Sequence, residues 1–166
     1  HGNYLNIVRD CKYQDSLDSG TLFLQMQRNF LGLTEARCSM NDSSFDEQRC
    51  VQGMRQRKFM TGIANYHIYK AEICYFYRAQ AEALEHVRAQ DRLMASVMSL
   101  PQLVRFYIVA FLTLAACLPG MTAAEQAQTR KRMRADLRRM TQWAAHCPAN
   151  FLHLQLLMQA EMARLD

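Results

Sequence analysis

Apolar positions recur along most of this chain at three- and four-residue intervals, and short polar or Pro/Gly breaks separate the runs. That is the pattern of amphipathic helices. Residues 15–33, DSLDSGTLFLQMQRNFLGL, place a cap-like Asp/Ser/Gly cluster before an apolar helix that ends near Gly32, and residues 34–45, TEARCSMNDSSF, read as a polar connection. A helix is then predicted from Asp46 to Arg57 and a second from Lys58 to Tyr77. On a helical wheel Phe59, Ile63, Tyr66, Ile73 and Tyr77 form one apolar stripe, while Thr61, Asn65 and Glu72 fall on another side. The second helix is therefore expected to pack by an aromatic face. After a break at Arg78–Gln80, Leu84, Val87 and Leu93 fit a returning helix.

Pro101 suits the first turn of a further helix, which stops at Leu118-Pro119-Gly120. Thr122 and Glu125 have capping-box spacing, so Thr122 should cap a helix reaching about His146. Pro148 then ends that helix and starts the last one, with Phe151 expected to be buried beneath the corner. In this last helix Phe151, Leu154, Met158, Met162 and Leu165 make one apolar face, and Leu152, Leu156, Ala160 and Ala163 make a second. Two apolar faces imply a neighbour on each side, as for an inner helix of a stacked array. The pattern predicts an all-α chain of antiparallel hairpins stacked as an array, with a closed bundle as the alternative, in one domain, residues 1–166. Within it fall a leading helix and loop (1–45), a first hairpin region (46–98), a second hairpin (99–147) and the start of a further repeat (148–166).

Composition changes this picture little. Half of the 166 residues are apolar, enough for a core, and glycine and proline are sparse. The apolar window Leu103–Leu118 falls short of the roughly 20 residues of a membrane span and carries Arg105, so it reads as a buried helix. The six cysteines are scattered through segments able to bury a core, which suggests reduced thiols and a cytoplasmic setting. With no signal-peptide pattern and no initiator methionine, the chain reads as excised from something larger. A net charge of +5 selects no partner.

No constellation for chemistry emerges. His146, Cys147 and His153 suggest a metal or a catalytic thiol, but Pro148 breaks the helical register between the two histidines. No C-x-x-C, H-x-x-x-H or H-E-x-x-H motif occurs, and there is no Gly-rich phosphate loop. His67, near Met60 and Cys74 on an apolar side, reads as a hydrogen-bonded core histidine. Tyr66, Tyr69, Tyr75, Phe76 and Tyr77 read as packing residues. No catalytic, cofactor or metal residue is assigned. The basic run TRKRMRADLRR, 129–139, spreads its charges around a helix whose apolar side is Met133, Leu137, Met140 and Ala144. This weighs against nucleic acid, although a nucleic-acid or transcription-associated module using residues 129–139 is the alternative reading. Arg130, Lys131, Arg134 and Arg138 are the candidate interaction surface.

The segments YHIYKAEICYFYRAQAEALEHV (66–87), RFYIVAFLTLAACLP (105–119) and RMTQWAAHCPANFLHLQLLMQAEMARL (139–165) resemble the tetratricopeptide-like helical region of large bacterial signalling ATPases. The resemblance covers residues 46–166 and is most specific at HCPANF; Arg78-Ala79-Gln80 departs from the Gly-Asp-Tyr usual at that turn, while Ala83 keeps the small position. It implies a right-handed superhelix of stacked hairpins. It also implies a non-enzymatic regulatory segment, without cofactor, of a two-component-type protein carrying ATPase and histidine-kinase modules. The implied partners are neighbouring domains of the same chain, a protein partner or a small inducer; the second apolar face of the last helix adds self-association, and the short apolar window implies no membrane.

Overall fold

The computed structural model describes residues 13–98 and 100–165, and among them the fold is all-α. The helices are α1 (Gln14–Phe30), α2 (Glu47–Gln56), α3 (Met60–Phe76), α4 (Gln80–Asp91), α5 (Gln102–Cys117), α6 (Ala123–His146) and α7 (Pro148–Leu165). Short 3-10 turns cover Met94–Ser96 and Leu118–Gly120. Every helix that the apolar periodicity predicts is present. Expectations for the first 12 residues lie outside the described part of the chain.

The first three helices end in the same way. After α1, Gly32 N–H donates to Asn29 O and Leu33 N–H to Arg28 O; after α2, Lys58 N–H donates to Arg55 O and Phe59 N–H to Met54 O. After α3, Arg78 N–H donates to Tyr75 O and Ala79 N–H to Cys74 O. Each pair satisfies carbonyls that the helix end leaves open, and each needs a residue in the left-handed region. Gly32 (φ 72°) adopts it freely, whereas Lys58 (φ 57°) and Arg78 (φ 63°) do so at a cost of about 1–2 kcal/mol. Packing beyond the turns must offset that cost. The break at residue 78 thus forms without a glycine.

The chain divides into two compact units, His1–Leu103 and Val104–Asp166, where the sequence pattern suggests one. In the first, α3 is the hub and packs against α1, α2 and α4. Its burial extends beyond an aromatic stripe: Ile63, Ala64, Ile68, Tyr69, Ala71, Ile73 and Cys74 are buried, and so are Asn65 and Lys70. Asn65, which falls on a different side from the stripe, is buried as well, because neighbours on several sides leave this helix little solvent-facing surface. Its turn into α4 makes an antiparallel hairpin that sets His67 opposite His86 and Cys74 opposite Glu82.

In the second unit Phe106, Phe111, Leu114 and Leu118 are buried on and just after α5. The stretch Gln102–Gly120 is long and apolar enough to cross a membrane, and half of its most apolar 18-residue window is buried inside the protein. The predicted capping box is present at the start of α6, with Thr122 accepting from Glu125 N–H while the Glu125 carboxylate accepts from Thr122 N–H. α6 and α7 form an antiparallel hairpin, since Trp143 and Phe151 stack at one end (5.8 Å) and Arg130 reaches Leu165 O at the other (2.8 Å). Met133, Met140 and Ala144 of α6 are buried, as are Met158 and Met162 of α7. Phe151 is only half-buried, because Trp143 covers it from one side.

Candidate functional site

Two places could carry function, one in each unit. The first is the outer surface of the α6–α7 hairpin. Residues 152, 156, 159 and 163 follow the helical repeat down one side of α7. Leu152 and Leu156 on that side are 44% and 53% exposed, and Ala163 is exposed as well. Gln159 of this side joins Arg134, Leu137, Arg138, Thr141 and Gln142 of α6 around a groove of about 470 Å³. The side of α7 that exposes Leu152 and Leu156 therefore meets, at Gln159, a groove lined by two arginines one helical turn apart. The second unit as a whole is basic, with eight Lys or Arg against four Asp or Glu from residue 104 onward.

The four residues singled out in the sequence separate here. Arg134 and Arg138 are exposed and line the groove. Lys131 is exposed but does not line it. Arg130 points elsewhere, and its Nη2 donates to the Leu165 carbonyl at the end of α7, where a cation also meets the negative end of the helix dipole. Neighbouring basic residues are engaged too, Arg139 over the Tyr107 ring at 4.9 Å and Arg132 with Asp136 at 3.5 Å. His146 and His153 are exposed, and Cys147 sits half-buried between α6 and α7.

The second place is a polar cluster inside the first unit, built on one side of α3 where Tyr66, His67, Lys70 and Cys74 share a helical face. The Lys70 side chain is 4% exposed. Its Nζ donates to the Cys38 carbonyl, lies 3.2 Å from Glu47 Oε1 and lies 3.8 Å from Glu82 Oε1. Glu47, at 15% side-chain exposure, also accepts from Met40 N–H at 2.7 Å and from the Tyr66 hydroxyl at 3.3 Å. Burial, then the Glu47 charge and its hydrogen bond, push the Tyr66 phenol up.

Next to them His67 Nδ1 and His86 Nδ1 lie 2.9 Å apart, so one donates and the other accepts. Burial, with Arg55 and Arg92 adding to it, lowers His67 to about 4. Burial, with His67 and Lys70 adding to it, lowers His86 to about 3. Both rings are therefore neutral at pH 7. His67 is a hydrogen-bonded core histidine as expected, but the side it occupies is polar. The Cys74 thiol is pushed far up by burial, then by Glu82 and Cys38. Sequence spacing missed the cluster because its members come from the connection after α1, from α2, from α3 and from α4. The detectable trace was a Lys and a His one turn apart in a stretch otherwise rich in apolar residues.

A polar groove of about 800 Å³ also lies between α1, the 31–46 connection and α2, lined among others by Asp18, Asp42, Arg49 and Arg57. Several of its charges pair with one another or with neighbours. Arg57 holds Asp18 and Asp15, and Arg28 holds Asp42 at 2.9 Å. Burial would raise Asp42, but hydrogen bonds from Ser44, Gln25 and Arg28 outweigh it and hold the carboxyl well below its usual range.

No protein-family model, no curated protein and no solved structure matches this chain.

Proposed function

We propose that this chain is a non-catalytic, tetratricopeptide-like helical segment that works through protein contacts, in which the α6–α7 surface receives an amphipathic helix with acidic flanks. The observation that carries the reading is the pair of exposed leucines, Leu152 and Leu156, on the side of α7 whose Gln159 lines the groove with Arg134 and Arg138. Apolar side chains spaced by the helical repeat favour a helix laid along them, and guanidinium groups at the border favour carboxylates on that helix. The antiparallel pairs α3–α4 and α6–α7, with Ala83 buried at the small position of the first pair, support a repeat architecture. In the setting that the sequence resemblance implies, the docked helix is the next repeat of the same signalling chain or a partner's helix. Exchange between the two would relay partner or inducer binding to ATPase or kinase modules.

The test compares this chain with one extended by about 40 residues, one further hairpin on typical repeat lengths. Sedimentation and hydrogen exchange across residues 149–165 are the readouts. The short chain should self-associate or exchange rapidly in α7, and the longer chain should protect α7. Leu152→Glu/Leu156→Glu should abolish that protection with helix content unchanged. A short chain that is strictly monomeric, with α7 as protected as residues 103–117, would overturn the reading. So would a sequence-selective nucleic-acid complex at near-physiological salt that Arg134→Ala/Arg138→Ala abolishes, because the groove would then serve phosphates.

A further inference from the structure

We infer that Cys38, Cys74 and Glu82 form a binding site for a thiophilic divalent cation, zinc foremost. One Sγ from the connection after α1, one Sγ from α3 and one carboxylate oxygen from α4 all lie within 4.8 Å of one another, and both cysteines are free thiols. With Zn–S near 2.3 Å and Zn–O near 2.0–2.2 Å, a tetrahedral centre sets its donors about 3.4–3.8 Å apart. Side-chain rotation at Cys38 and Glu82, neither of them fully buried, can close that gap. The donor set is selective: two sulfurs with one carboxylate suit zinc or cadmium and not calcium or magnesium, which require several oxygen ligands.

Charge favours the same assignment. On binding, each thiol releases its proton to solvent as its sulfur–metal bond forms, and Glu82 exchanges its hydrogen bond with the Cys74 thiol for the metal. Two thiolates, one carboxylate and one divalent ion leave a single negative charge, which the Lys70 ammonium, 3.8 Å from Glu82 Oε1 and shared with Glu47, offsets in part. Lys70 is itself fixed by the Cys38 carbonyl and Glu47, a supporting shell of the kind that orients metal ligands. The Glu82 side chain is 44% exposed, which opens a route to solvent and leaves the fourth position to water.

The experiment titrates the reduced, chelator-stripped chain with Zn2+ in competition with a chromophoric chelator, and with Co2+ while following thiolate-to-cobalt charge-transfer absorption. Equimolar binding with that absorption is expected. Cys38→Ser should cut the absorption by about half or more and weaken zinc binding about 100-fold or more, and Glu82→Gln should weaken it about 10- to 100-fold, by comparison with the losses seen for supporting-shell changes. Cys50→Ser and Cys147→Ser should leave it unchanged. Cys74 is buried, so Cys74→Ser is read only if its circular dichroism matches the parent's; Cys38→Ser and Glu82→Gln decide the matter otherwise. Absence of zinc uptake by the fully reduced parent chain, including protein recovered with a Cys38–Cys74 disulfide and then reduced, would overturn the assignment. Undiminished uptake by Cys38→Ser would do the same.

Discussion

Replacing Lys70 by Met tests the energetic logic of the α3 cluster. The ammonium has almost no access to water and lies 3.2 Å from Glu47 Oε1. At an effective dielectric of about 20 the bare attraction at that distance is on the order of 5 kcal/mol, largely offset by the cost of desolvating both ions. The pair therefore adds little net stability, but removing one member strands the other. Loss of one partner of a buried pair costs about 3–5 kcal/mol. Lys70→Met should fall near about 3 kcal/mol, the lower end of that range, because Glu47 keeps the Met40 N–H and the Tyr66 hydroxyl, and Glu82 is exposed enough to be solvated. Adding Glu47→Gln should recover most of the loss, and the double-mutant cycle isolates the coupling. Urea denaturation of chelator-treated protein at pH 7 should be followed by circular dichroism and by hydrogen exchange across Met60–Phe76. The chain's single tryptophan, Trp143, belongs to the other unit and reports on the wrong place. A single-variant loss below about 1 kcal/mol, typical of an exposed pair, would refute the burial argument.

Three further outcomes follow from the same geometry. Thr122→Ala removes one half of the capping box and should cost about 1 kcal/mol, read as a lower denaturation midpoint with unchanged m-value. Because His67 and His86 are lowered from 6.5 to about 4 and about 3, the unfolded chain binds more protons than the folded one between those values and 6.5. Their contribution to stability is thus complete above about pH 6.5 and is lost as pH falls, by up to about 1.4 kcal/mol per pH unit for each ring. Denaturation at pH 7 and pH 5 should show this loss, and His67→Gln/His86→Gln should flatten it. Gly62→Ala would place a Cβ 2.5 Å from Met54 Sδ and 2.5 Å from two Phe59 ring carbons, so it should destabilise by about 1–3 kcal/mol despite the better helix propensity of alanine.

The helices themselves were legible in the sequence because their determinants are local. The 3.6-residue period marks α3 to α7, Thr122 and Glu125 cap α6, and Pro148 both closes α6 and opens α7. The apolar faces of α7 were legible for the same reason, and the structure buries Met158 and Met162 of one face and leaves Leu152 and Leu156 of the other exposed. Arg134 and Arg138 could be nominated as surface residues from the wheel alone. That they line one groove while Arg130 ties down the end of α7 depends on where the two helices meet.

What only the tertiary structure decided is what lies against each face. Periodicity gives a helix an inside and an outside but does not say how many neighbours it has, so α3 read as one-sided when it is packed on several sides and buries Asn65 and Lys70. The breaks near Lys58 and Arg78 were legible, but their left-handed geometry was not, because the residue that adopts it there is not glycine. The cluster of Cys38, Glu47, Lys70, Cys74, Glu82 and His86 has no spacing rule to betray it, since four separate segments supply it. Local chemistry sets where helices begin and end, whereas a polar site inside a helical unit exists only once long-range packing has brought distant side chains within a few ångströms of one another.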